Sequence, residues 1–131
     1  MTITLLIENN YGGSLQAVEK TVWYSEAGGE WSGDGNEHIL TLGSWRGSGL
    51  IRFKENNGHY FSVVVGIGYA QKPWCDVQVN LANTDTGVKL HPEYYGGRLG
   101  SESHREITRT TSSGRTVKLT YNGGQAVLEY S

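Results

Sequence analysis

The sequence predicts a mainly β protein, a β-sandwich or barrel. Three observations carry the β assignment. Short apolar–polar alternations recur along the chain. Turn residues separate them at intervals of roughly 8–12 residues, as in sandwiches and barrels. The composition is rich in glycine (19 residues) and aromatics (11%) and poor in charge (18%), which suits strands and turns over helices.

Ile3, Leu5 and Ile7 alternate with Thr2, Thr4 and Leu6 before "NNYGG" stops the run. A second strand follows from about Leu15 to Tyr24. "SEAGGEWSGDGNE" reads as a long glycine-dense loop leading to the strand "HILTL". After "GSWRGSG" comes "LIRFKE", with Ile51 and Phe53 on one face and Arg52 and Lys54 on the other. "NNG" at Asn56–Gly58 is a hairpin signal, because Asn and Gly accept the positive φ of tight turns. It opens the longest strand, "HYFSVVVGIGY", in which His59, Phe61, Val63, Val65 and Ile67 share a face. Late in the chain, "SSG" and "NGG" separate "REITRTT", "RTVKLTY" and "QAVLEY".

The stretch "QKPWCDVQVNLANTDTGVKLHPEYYGG", Gln71 to Gly97, breaks the pattern and holds the single cysteine and both prolines. Trp74, Val77 and Leu81 stand at helical spacing, with Asp76 where a first-turn acid would sit. Val77, Val79 and Leu81 fit a strand equally well. A short helix, a turn at "NTDTG" and a Pro92-bounded segment is the preferred reading of the residues.

A chain of 131 residues fits one domain, 1–131, and a domain near this size buries roughly 68% of its unfolded surface without staples. A lone Cys75 forms no internal disulfide. "MTITLLIENN" carries neither a basic leader nor a long apolar run, so a cytoplasmic protein without signal peptide or membrane anchor is expected. The net charge of −2 gives no general attraction to nucleic acid or anionic lipid. It is unevenly spread, with Glu8, Glu19, Glu26, Glu30, Asp34 and Glu37 early and Arg98, Arg105, Arg109, Arg115 and Lys118 late.

Catalytic signatures are missing. The sequence has no H-E-x-x-H, C-x-x-C, G-x-S-x-G or P-loop pattern. His38, His59, His91 and His104 lack ligand spacing, so no metal and no cofactor are expected, and core or surface roles suit these residues better. Cys75 beside Asp76 reads as a buried structural thiol. Aromatic side chains placed in polar glycine loops do stand out: Trp31 and Trp45, with Tyr69 ending a strand. A sugar offers an apolar C–H face and hydroxyl edges, so a shallow sugar site wants an aromatic plate ringed by hydrogen-bonding groups.

"VEKTVWYSEAGGEW", "HILTLGSWRGSGLIRF", "PWCDVQVNL" and "EYYGG" resemble, in order and near-constant spacing, the fungal fruit-body lectins. The similarity runs from about Ile3 to Arg105. It implies an actinoporin-like β-sandwich of two antiparallel sheets linked by a short helix-loop-helix around residues 75–96, with Trp74 and Tyr94 or Tyr95 as packing anchors. It further implies a metal-independent, non-enzymatic lectin, a homo-oligomer (dimer or tetramer), binding glycans on glycoproteins or glycolipids. One family site prefers the T-antigen disaccharide, galactose linked to N-acetylgalactosamine, and the other prefers N-acetylglucosamine; a defensive role is implied as well.

Carried over by position, the first site falls on Glu26, Ala27, Gly28, Ser44, Trp45, Arg46 and Tyr69. Glu26, Trp45 and Arg46 stand where the family has small residues, and Tyr69 falls near the family's Asn. The second site falls on Asp76, Val77 and Val79, the last replacing a Thr, with Arg98 in the place of the family's Arg. Two other readings compete. A membrane-binding cytolytic protein shares the implied fold, but a chain entering its first strand at Thr2 has no detachable amphipathic helix, so no transmembrane insertion is expected. A nucleic-acid-binding β module would use the late arginines and show salt-dependent retention on heparin; it is the less favoured. Accordingly, vesicles containing sphingomyelin should show no leakage, and dye release at sub-micromolar protein would restore the cytolytic reading.

Overall fold

The computed structural model describes residues 1–131 apart from Tyr24 and Glu26. Among the described residues, ten strands form two sheets: β1 (Thr2–Asn9), β2 (Leu15–Trp23), β3 (Gly29–Asp34), β4 (Glu37–Leu42), β5 (Gly47–Glu55), β6 (Tyr60–Ile67), β7 (Pro73–Leu81), β8 (Glu106–Thr110), β9 (Thr116–Tyr121) and β10 (Gln125–Tyr130). The larger sheet has the order β3-β4-β1-β10-β9-β8 and the smaller β2-β5-β6-β7. Every pairing is antiparallel except β1 with β10, which run parallel from Thr4↔Gln125 to Asn9↔Tyr130, so the larger sheet is mixed.

Two segments differ from their sequence readings. The glycine-dense stretch before "HILTL" is not all loop: Gly29–Asp34 pairs with β4 as an edge strand. Its only large apolar residue is Trp31, which left no alternation to read. "PWCDVQVNL" is β7 rather than a helix. Burial on both sides explains the ambiguity: Cys75 and Val77 face the other sheet while Asp76 is equally buried on the opposite side. The helical part of the linker starts only at α1 (Gly87–Leu90), which runs into a 3-10 turn at His91–Tyr94.

Between the sheets, the alternating positions of the sequence interdigitate. Ile3, Leu5 and Ile7 meet Ile51, Phe53, Phe61, Val63 and Val65, with Leu119, Leu128 and Tyr130 behind them. Phe61 stacks between Phe53 (5.3 Å) and Tyr130 (5.7 Å). The smaller sheet is covered on its other face too, where Leu50 and Val64 pack under Leu90, Tyr94 and Leu99, with Trp74 and Tyr95 alongside. Hence β5 and β6 are buried along almost their whole length.

Two side chains tie the sheet edges together. At one edge, Trp31 of β3 inserts between the sheets and donates its indole N–H to the Thr21 carbonyl of β2 (3.0 Å). A Cβ at Gly49 would sit 2.5 Å from that indole. At the other edge, Arg109 of β8 donates Nε–H to the Val77 carbonyl of β7. Both arrangements satisfy carbonyls on edge strands that would otherwise stand open.

Cys75 lies under this closure at 0% exposure, its backbone exchanging both hydrogen bonds with His104. Burial, then the adjacent Asp76 carboxylate, push its thiol up to about 12. The native protein should therefore resist a bulky aromatic disulfide reagent at mildly alkaline pH and react only on unfolding; labelling of the folded protein within minutes would contradict this placement. Gly49→Ala should lower stability by about 1–3 kcal/mol through overpacking against Trp31, measured by urea denaturation.

Candidate functional site

The outer face of the smaller sheet carries polar residues that two apolar faces could not tolerate without partners. Glu19 of β2 accepts the backbone N–H groups of Gly87 (2.6 Å) and Val88 (3.3 Å), and so caps α1 from a neighbouring strand. Arg52 of β5 pairs with Glu19 at 3.1 Å and donates to the Asn83 carbonyl at 3.1 Å. These contacts dock the linker on the sheet.

Below the linker runs a relay of short hydrogen bonds. Thr21 Oγ1 meets His91 Nδ1, His91 Nε2 meets Ser48 Oγ, and Ser48 Oγ meets Tyr95 Oη, each at 2.7 Å. A neutral imidazole donates through one nitrogen and accepts through the other, which this relay can use in either direction. Burial holds His91 in that state, bringing its pKa down to about 3.

Beside the relay, a groove of about 340 Å³ opens between the β6–β7 connection and the linker. Trp74, Tyr94 and Tyr95 form its apolar wall, and Arg46, Tyr69 and Glu102 its polar rim. Trp74 packs against Tyr94 (5.4 Å) and edge-on to Tyr95 (6.2 Å). Room for its indole comes from Gly66, where a Cβ would approach within 2.8 Å. The Arg46 guanidinium lies 4.0 Å over the Tyr69 ring, and Tyr69 is 78% exposed.

Of the first-site candidates, Arg46 and Tyr69 are thus brought together, on the rim of an aromatic groove. Trp45, which precedes Arg46 in the chain, is 64% exposed and does not line the groove. Ala27, Gly28 and Ser44 belong to the loop frame: Gly43 N–H donates to Gly28 O at 2.9 Å, and Ser44 Oγ donates to Arg46 O at 2.8 Å. The Ala27 carbonyl stands where a Cβ on Gly43 would go. Glu26 lies outside the described residues. Trp31, the other loop tryptophan, is a packing residue.

The second-site candidates do not share a surface. Asp76 is fully buried, accepting from Tyr94 Oη (2.7 Å) and Gln78 Nε2 (2.8 Å), with Arg109 Nη2 at 3.4 Å. Val77 and Val79 sit at alternate positions and pack into the main core, so strand alternation turns them away from Asp76. Arg98 is held through its backbone N–H by Glu93, and the guanidinium over Asp76 is that of Arg109. Arg109 also reaches Glu102 at 2.7 Å. Asp76, Glu102 and His104 bring potential ligand atoms within 4.8 Å of one another, but the Arg109 cation already balances both carboxylates.

Sequence reasoning took Tyr94, Tyr95 and Trp74 for packing anchors alone and passed over Arg109 and Glu102. The signal for Arg109 was an arginine at an inward position of a strand, two residues after the buried Ile107.

Comparison with known proteins fits this architecture. A family model described as fungal fruit body lectin matches residues 1–127. The lectin of Boletus edulis is 36% identical over 95 residues, a span covering 72% of this chain and 66% of that relative, just under two thirds of its length. The crystal structure of wild-type Xerocomus chrysenteron lectin superposes with a TM-score of 0.90 at 30% identity, covering 99% of this chain and 98% of that one. A methionine-substituted variant of the same lectin gives 0.87 at 31%, covering 99% and 97%.

The relay has a consequence for pH. His91 has a folded pKa of about 3 against an ordinary 6.5, so the unfolded chain binds the extra proton between those values. Its contribution to stability is complete above about pH 6.5 and is lost as pH falls toward 3, by at most about 1.4 kcal/mol per pH unit. Melting temperature should fall less steeply with acidification in His91→Asn than in the wild type; parallel profiles would show that His91 is not held neutral.

Proposed function

Because the chain belongs to the fungal fruit body lectin family, we propose that it binds cell-surface glycans at the aromatic groove bordered by Arg46 and Tyr69. One observation carries the reading: a guanidinium stacked on an exposed tyrosine at the mouth of a groove walled by Trp74, Tyr94 and Tyr95. The aromatic wall suits the C–H face of a sugar ring, and the Arg46 and Glu102 side chains suit its hydroxyl edges. Trp45, exposed and adjacent to Arg46 in the chain, would offer a further apolar plate to a second sugar residue. Galactose linked to N-acetylgalactosamine is the proposed ligand class here, following the family resemblance. N-Acetylglucosamine is proposed for the surface where Arg109, Glu102 and His104 lie over Asp76.

Exchanging small residues for Trp45 and Arg46 favours larger or anionic glycans. A single sugar site often binds in the millimolar range, about −4 kcal/mol. Avidity at a cell surface would then come from a homo-oligomer displaying several sites. A cytoplasmic store with a defensive role accords with this reading. No helix among the described residues is long and apolar enough to cross a membrane.

Truncating an aromatic anchor in a desolvated site costs about 2 kcal/mol or more, roughly thirtyfold in affinity. Trp45→Ala and Tyr69→Ala should each weaken monovalent binding of the T-antigen disaccharide to that extent, read by calorimetric titration, while the thermal midpoint stays nearly unchanged. Undiminished binding in both variants would move the sugar site elsewhere.

A further inference from the structure

The aromatic groove continues into a second opening of about 400 Å³, between the β6–β7 connection and the segment that leads into β8. Gly68, Tyr69, Trp74 and Ser103 line both, so the two are contiguous. Their charge differs. Lys72 lines the second opening from one wall and Arg105 from the other, and no carboxylate among the described residues lines it.

Backbone hydrogen bonds hold both walls. On the first, the Gly68 N–H donates to the Lys72 carbonyl (2.9 Å) and the Lys72 N–H to the Tyr69 carbonyl (3.2 Å). This tight turn puts Ala70 and Gln71 in the left-handed region, at φ 54° and 58°, which is costly for residues with a Cβ. On the second wall, His104 exchanges both backbone bonds with Cys75, and the Tyr121 N–H donates to the Arg105 carbonyl at 2.9 Å. Tyr69, Lys72 and Arg105 are all exposed and all carried on this fixed backbone.

Neither Lys72 nor Arg105 has a salt-bridge partner among the described residues. Neighbouring charges are already matched: Glu102 pairs with Arg109 at 2.7 Å, and His104 Nε2 lies 3.7 Å from Asp76 and 3.6 Å from Glu102. Ser103, also exposed on the lining, adds a hydroxyl donor. Two unmatched cations and a hydroxyl suit an anion with several oxygens. The net charge of −2 gives anions no general attraction, so a preference for them must be local to this opening.

We infer that this opening is a subsite for an anionic substituent, a sulfate ester or a carboxylate, on the glycan whose ring lies in the aromatic groove. The inference rests on the groove being the sugar site. Lys72 and Arg105 take the anion's oxygens, and Ser103 donates to one of them. An exposed ion pair contributes only a few-fold, so the two cations together give about tenfold. That is too little to hold a free anion, but tethering to a seated sugar ring raises its local concentration.

The test compares the T-antigen disaccharide with two derivatives, one sulfated and one sialylated on the galactose, by calorimetric titration. At least one derivative should bind about tenfold more tightly than the neutral disaccharide, and which one does names the anion. The double variant Lys72→Ala, Arg105→Ala should lose that gain, keep neutral binding and keep its thermal midpoint. Lys54→Ala, Lys89→Ala, which removes the same charge from exposed positions elsewhere, should retain the gain. In the wild type the gain should shrink several-fold between about 20 and about 300 mM salt, while neutral affinity holds. Neutral binding with no gain for either derivative overturns the inference and leaves the groove reading standing. A gain that survives the Lys72, Arg105 variant, disappears in the control variant or ignores salt also overturns it. So does loss of neutral binding in the Lys72, Arg105 variant, which would assign these cations to the groove itself. Absence of neutral binding in the wild type fails the groove reading, and the subsite with it.

Discussion

The double burial of the smaller sheet is the constraint on which the rest of this structure depends. β5 and β6 have the larger sheet on one side and the linker on the other, so a polar side chain there must find a partner inside the protein or, like Ser62 Oγ, be buried without one. An unpartnered polar group in such a place costs about 1–3 kcal/mol. Ser48 and Arg52 of β5, and Asp76 of the neighbouring β7, meet this demand with His91, Glu19 and Tyr94. These same bonds fix the linker, and the fixed linker builds the groove wall.

The two closures of the sandwich obey one logic with different chemistry. On each side the larger sheet ends in a strand that sends one long side chain inward, Trp31 from β3 and Arg109 from β8, and each donates to a carbonyl of the opposing edge strand. Trp31 needs only its own N–H satisfied and can be packed under Gly49. Arg109 brings a charge, which Asp76 and Glu102 balance. A buried carboxylate therefore serves as a structural counter-ion here, and the surface open to a ligand is the outer part of that cluster, where Glu102 and His104 are each about one-third exposed.

The aromatic groove borders Arg46, just before β5, and the buried His38 packs edge-on to Phe53 near the other end of that strand. The groove is bordered by a cation, whereas His38 Nδ1 is buried without a hydrogen-bond partner among the described residues.

Alternation at Ile3–Ile7, Ile51–Phe53 and Phe61–Ile67 was enough to place β1, β5 and β6, because each has one face in a continuous core and a period of two survives in the residue types. Turn chemistry at Asn56–Gly58 and at "NGG" set the hairpins. The motifs around Trp74–Cys75–Asp76 and Glu93–Gly96 were enough for the family, since their order and spacing are constrained together. β7 was ambiguous because Trp74, Val77 and Leu81 stand at helical spacing while Val77, Val79 and Leu81 alternate, and Asp76, buried on the face turned from the core, mimics a first-turn acid. β3 was hidden because an edge strand carrying a single anchor needs no alternation. Which arginine meets Asp76, that Val77 and Val79 turn away from it, and that His38 keeps an unsatisfied nitrogen were decided only by the tertiary structure. Those facts depend on which edge strands face each other across the sandwich, and residues 32 positions apart, such as Arg109 and Val77, carry no local trace of that meeting.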